Sequence, residues 1–197
     1  MTDTAPRDRS PRWEAFTLLA AIVALMWLVE VVDTIDDHRL DQYGIEPRDV
    51  DHLDGVVFAP FLHAGFAHLL ANTVPFVVLG AAIAFEGLWR LVGVTAIVAL
   101  VSGLGTWLVA PANTIHIGAS GVVFGYATYL IARGWFNRRV GEIGIGIALA
   151  VLWGGVLVAG VEPHEGISWQ GHLFGAVGGL VAAALLARPK ETSASVP

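Results

Sequence analysis

Four polar side chains sit in otherwise apolar surroundings: His68, Asn72, Ser120 and His172. A serine hydroxyl is a poor nucleophile until a base takes its proton, and a histidine with its pKa near 6.5 suits that task at neutral pH. HIGASGVVFG opens one apolar segment and places Ser120 about one turn into it, and WQGHLFGAVGG opens another and places His172 similarly. His68 and Asn72 are four residues apart, so a helix puts them on one face, one turn above the other. If Ser120 and His172 approach within hydrogen-bond reach, the chemistry they offer is acyl transfer. Each residue also has a plainer reading. A serine among glycines commonly packs helices, and a buried histidine commonly makes a structural hydrogen bond. What favours chemistry is the conjunction of compatible groups in three separate segments.

Those segments have to be membrane helices. The chain has 197 residues, of which 55% are apolar and 14% charged, with a mean hydropathy of +0.67. A soluble domain carries roughly 25% charged residues, so too little polar surface is available to cover one. The net charge of −6 argues against nucleic acid, which needs a basic footprint. There are no cysteines, which excludes disulfides, thiolate metal sites and a cysteine nucleophile.

A membrane-spanning helix needs about 20 mostly apolar residues. Six stretches qualify, over 13–33, 66–86, 91–110, 118–134, 141–161 and 169–187. The expected fold is an all-α, six-helix membrane bundle over 13–187. A short cytoplasmic stretch, 1–12, precedes it, and a polar tail, 188–197, expected to be disordered, follows it. Only 34–62 forms a long connection, and its acids (Asp36, Asp37, Asp41, Glu46, Asp49, Asp51 and Asp54) read as a solvated face at the membrane surface. The first segment reads as an anchor rather than a signal peptide, because it is too long and lacks a small-residue cleavage site. Asp3 and Asp8 argue against a transit peptide. No internal repeat of the kind common in transporters is visible.

With both termini cytoplasmic, Arg7, Arg9, Arg12, Arg90, Arg133, Arg138, Arg139, Arg188 and Lys190 lie inside, and only Arg39 and Arg48 lie outside. That distribution obeys the positive-inside rule. The second, fourth and sixth helices then run inward, and their polar residues share one depth just below the outer surface. Ionisable and amide groups at such depth are costly and read as functional. Gly121 and Gly125 in the fourth helix, and Gly171, Gly175 and Gly179 in the sixth, form small-residue stripes that let backbones approach closely.

At these residues the sequence resembles the rhomboid family of intramembrane serine proteases, over about 120 residues. HAGFAHLLANT resembles the family's H-x-x-x-x-H-x-x-x-N signature. GASGVVFG matches its G-x-S-G motif, GHLFGAVGG its histidine-and-glycine helix, and Gly80 to Glu86 looks like its G-x-x-x-E region with looser spacing. The resemblance implies Ser120 as nucleophile and His172 as general base, then acid, in a dyad without aspartate. It implies oxyanion stabilisation by the Ser120 amide, the Asn72 side chain and the His68 ring. Gly118 would let the loop bend ahead of the nucleophile, and Phe124 would stack on the histidine. Gly175 and Gly179 support the helix contact. His63, about 140° from His68 around an ideal helix, is expected to support the loop. One feature departs from the family: no Trp-Arg pair occurs between Thr34 and Leu62, which puts the fold of that loop in question.

The implied function is hydrolysis of peptide bonds in single-span membrane proteins near the outer face, in the cell membrane of a prokaryote. No cofactor, metal or nucleic acid is expected; the lipid bilayer is. Gly141, Gly144, Gly146, Gly154 and Gly155 make the fifth helix a candidate for lateral substrate access, or simply a packing surface. A transporter would spread polar residues through the full depth, whereas VVLGAAIAF, ATYLIA and LVAAALLA are mainly apolar. A non-catalytic rhomboid-like chaperone would lack the serine or the histidine. His164-Glu165 is followed by Gly-Ile-Ser, so it does not form H-E-x-x-H.

Overall fold

The computed structural model describes residues 12–163 and 166–187. In chain order these form α1 (Arg12–Ile35), α2 (Gly55–Phe58), α3 (Phe66–Ala84), α4 (Leu88–Val109), α5 (Ser120–Asn137), α6 (Val140–Gly160) and α7 (Trp169–Leu185). The six longer helices occupy the six expected stretches, with ends displaced by up to three residues. Most of the N-terminal stretch, the tail after Ala187 and the His164-Glu165 pair lie outside the described residues.

Among the described residues, α1, α3, α4 and α6 are long and apolar enough to cross a membrane by length and composition. At 17 residues α7 is shorter. α5 is the central helix: ten of its 18 residues are buried, and it packs against α3, α4, α6 and α7. A helix enclosed by other helices does not depend on lipid for its apolar environment.

Glycine sets how close α5 and α7 come. A Cβ built on Gly125 would lie 2.8 Å from the Gly175 carbonyl oxygen, and one on Gly121 would lie 3.0 Å from that of Gly171. Gly175 and Gly179 face the backbone of Gly121 and Gly125 in return. The two stripes therefore interlock, as their spacing predicts.

One end of the bundle is tied by charge. Glu86 pairs with Arg133 and Arg90 and accepts a hydrogen bond from the Tyr129 hydroxyl at 3.4 Å, while Arg90 donates to the Leu186 carbonyl. At the other end the long connection is pinned to the loop before α5. Ile45 and His116 exchange backbone hydrogen bonds of 2.9 and 3.1 Å. The Arg48 guanidinium donates to the Ala110 carbonyl at 2.6 Å, a carbonyl left open at the end of α4. The Trp107 indole donates to the Asp49 carbonyl at 2.8 Å. An arginine and a tryptophan thus fasten this loop although they are not neighbours in sequence.

α6 stands apart. Gly146, against the Ile131 backbone, is its one buried residue. Cβ atoms on Gly141, Gly144, Gly154 or Gly155 would meet nothing within 4 Å. These four glycines are therefore not packing devices within the chain, and α6 packs on α5 along one face and leaves the other exposed.

Candidate active site

The interlocked glycines carry Ser120 and His172 on facing helices, and Ser120 Oγ lies 2.8 Å from His172 Nε2. His172 Nδ1 lies 2.7 Å from the Gly160 carbonyl oxygen. A carbonyl only accepts, so Nδ1 carries the proton and donates, and the neutral ring presents its Nε2 lone pair to the serine hydroxyl. The Phe124 ring stacks on His172 at a centroid distance of 4.1 Å and an interplanar angle of 7°. Phenylalanine one turn after the serine, the histidine ring and the end of α6 therefore form one packed unit. His172 is 9% exposed.

Ser120 is the first residue of α5, not a turn inside it as the sequence pattern implied. Gly118 has φ +110°, a conformation an α-helix cannot include and L side chains rarely adopt. The helix therefore starts after the bend. Starting there leaves the Ser120 amide without an intrahelical acceptor and points the positive end of the helix dipole at the hydroxyl.

His68 and Asn72 converge on the same bend. A Cβ on Gly118 would lie 2.9 and 3.0 Å from His68 Cε1 and Nε2, and 3.8 Å from Asn72 Nδ2. The Ala64 amide donates to His68 Nδ1 at 3.3 Å. Since an amide N–H only donates, the proton of a neutral His68 ring sits on Nε2, facing the Gly118 bend. Asn72 Nδ2 donates one hydrogen to the His68 carbonyl at 3.0 Å and keeps a second. The His68 and Asn72 N–H groups thus flank the Gly118 bend, and the Ser120 amide opens the helix two residues on. Such a set can hold a developing oxyanion.

Two kinds of comparison bear on this geometry. The Rhomboid domain family matches residues 51–189, more than half of the chain. The uncharacterized protein Rv1337 of Mycobacterium tuberculosis is 44% identical, covering 96% of this chain and 83% of that protein. YdcA of Bacillus subtilis, provisionally named a rhomboid protease, is 31% identical over 89% of each chain. Rhomboid-like protein 11, chloroplastic, of Arabidopsis thaliana is 32% identical over 94% of this chain and 71% of that protein. The chain belongs to the rhomboid family.

In this rhomboid, His63 is buried behind the site and edge-on to His68, with ring centroids 5.2 Å apart. Its Nε2 accepts the Ala119 amide at 3.4 Å, so it braces the loop ahead of the serine, as expected. Burial and the neighbouring His68 push its pKa down to about 4. Another brace was not visible in the sequence. His116 Nδ1 lies 2.8 Å from Ser168 Oγ, and Thr114 Oγ1 lies 2.9 Å from His116 Nε2, joining the loop before α5 to the start of α7. Ser102 of α4 donates to the Gly171 carbonyl at 2.8 Å, one residue before His172. The Gly160 carbonyl, too, carries no side-chain signal. Two buried acids, Glu30 and Asp33, also lie inside α1, where charge within an apolar span is the sequence signal for them.

Proposed function

We propose that this rhomboid is an intramembrane serine endopeptidase that cleaves single-span membrane proteins by a Ser120–His172 dyad. The 2.8 Å contact between Ser120 Oγ and His172 Nε2 carries this reading, because it presents a hydroxyl to the one ring nitrogen free to take its proton. His172 Nε2 removes the hydroxyl proton as Oγ attacks the scissile carbonyl carbon. The carbonyl oxygen becomes an oxyanion held by the Ser120 amide, the His68 Nε2–H and the Asn72 Nδ2–H. The C–N bond then breaks, and the departing nitrogen takes the proton from His172. A water molecule, activated by the same ring, hydrolyses the acyl-serine and regenerates the hydroxyl.

The Gly160 carbonyl does for this dyad what an aspartate does in a triad, holding the imidazole in one tautomer and orientation. Being neutral, it avoids placing a second full charge in a water-poor cavity, where charge is costly to bury.

The six long helices act as six spans with both termini in the cytoplasm, a topology supported by the arginine distribution. The dyad then lies near the outer face of a prokaryotic cell membrane, where water can reach it. Substrate helices approach past α6, whose exposed apolar face makes few internal contacts. They unwind before cleavage, since a helical carbonyl is engaged in its own hydrogen bond.

Fluorophosphonate labelling of the purified protein in detergent tests the assignment. Wild type is expected to be labelled, and Ser120→Ala and His172→Ala are not. Labelling that persists in Ser120→Ala would remove Ser120 as nucleophile.

A further inference from the structure

Glu30 and Asp33, one turn apart in α1, are each only 1% exposed. Beyond the helix, Asp37 and His38 adopt left-handed conformations with φ of 54° and 58°, and the chain folds back into the turn Arg39–Tyr43. This places His38 Nδ1 3.2 Å from Asp33 Oδ2 and the Leu40 amide 2.7 Å from Asp33 Oδ1. One ligand atom each from Asp33, His38 and Asp41 lies within 4.8 Å of the others. Asp41, expected to belong to a solvated face, is therefore partly withdrawn from water, and its Oδ1 is buried without a hydrogen-bond partner.

Glu30 supplies the independent sign. Both of its carboxylate oxygens are buried without a partner, although the Gly65 amide and the Thr34 hydroxyl lie nearby. Three residues before Asp33 in α1, Glu30 shares a helix face with that carboxylate. Among the described residues, no lysine or arginine pairs with Glu30, Asp33 or Asp41, and His38 is the one ion-pair partner. Two buried carboxylates beside a partly buried third, with a half-exposed imidazole, are unfavourable unless a cation or protons neutralise them.

We propose that Asp33, His38 and Asp41, with Glu30 beside them, bind a divalent transition-metal cation of the zinc type. Imidazole with carboxylate oxygens is a donor set that Zn2+ accepts, whereas Ca2+ and Mg2+ favour oxygen alone. The bound ion clamps the end of α1 to the turn that follows it, next to Gly65 at the start of α3. The site is independent of the proteolytic reading: none of its residues touches Ser120 or His172, and that chemistry needs no metal.

Zinc titration of the chelator-stripped, full-length protein in detergent, with elemental analysis of the dialysed product, tests this. We expect one Zn2+ per chain, bound at least tenfold more weakly by His38→Ala and by Asp41→Asn. Those two positions are less buried than Asp33, so their variants keep the test valid if Asp33→Asn does not fold. His52→Ala, in the more exposed Glu46, Asp49 and His52 cluster, is expected to bind as wild type does. The proposal is overturned if wild type takes up no stoichiometric zinc or if both variants retain full affinity. Loss of binding through His52→Ala instead, or binding of Ca2+ or Mg2+ in place of Zn2+, also overturns it.

Discussion

His172 Nδ1 is held 2.7 Å from the carbonyl oxygen of Gly160, so the last residue of α6 orients the ring that faces Ser120. A Cβ on Gly160 would lie 3.2 Å from that same nitrogen and 2.8 Å from Phe124 Cε1. Gly160→Val is therefore expected to tilt the imidazole and lower kcat by about 10- to 100-fold, since misplacing a catalytic group by about 1 Å costs on the order of 100-fold. KM should change little. Steady-state kinetics on a fluorogenic transmembrane peptide separate the two constants, and a change confined to KM would contradict this role.

Asn72 has one amide hydrogen on the His68 carbonyl and one to spare. Removing one oxyanion donor costs about 100- to 1000-fold in kcat. Asn72→Ala should fall in that range while raising KM much less. The reverse pattern would mean that Asn72 binds substrate equally in the ground and transition states.

The glycines divide into two groups whose substitution should differ sharply. Gly175→Val would push a side chain into the Gly121 backbone, and overpacking typically costs about 1–3 kcal/mol. Gly144→Ala, in open space, should be silent or slightly stabilising through helix propensity. Thermal unfolding in detergent reads both. Equal effects at the two positions would mean that α5 and α7 do not pack along these stripes.

His63 predicts a pH dependence. Its pKa is about 4 in the folded chain, against about 6.5 when unfolded. The unfolded chain therefore binds a proton that the folded chain refuses. Stability is fully present above pH 6.5 and declines as the pH falls from 6.5 toward 4, by on the order of 3 kcal/mol at most. Unfolding measured at pH 7 and pH 4.5 should show this loss, and His63→Gln should reduce it. A variant as acid-sensitive as wild type would assign the effect to other groups.

Much of the architecture was legible because the bilayer permits few solutions. Apolar runs of helical length, with polar connections between them, located all six long helices. The short α2 leaves no periodic signal, being four residues within a polar connection. The apolar pattern includes Gly118, whereas its φ of +110° makes α5 begin at Ser120. The loop after α1 looked unanchored without adjacent tryptophan and arginine. Arg48 and Trp107 fasten it from positions 59 residues apart in the chain, which no local pattern reveals.

By itself, the sequence singled out the groups able to carry acyl transfer and the helices able to host them. With no cysteine and few charges, His68, Asn72, Ser120 and His172 stand out in three apolar segments. Tertiary structure decided which nitrogen of His172 and of His68 carries its proton. That choice rests on backbone groups, the Gly160 carbonyl for His172 and the Ala64 amide for His68. Every residue has a carbonyl and all but proline an amide, so neither group leaves a mark in the sequence. Packing alone brings one of them to a particular ring.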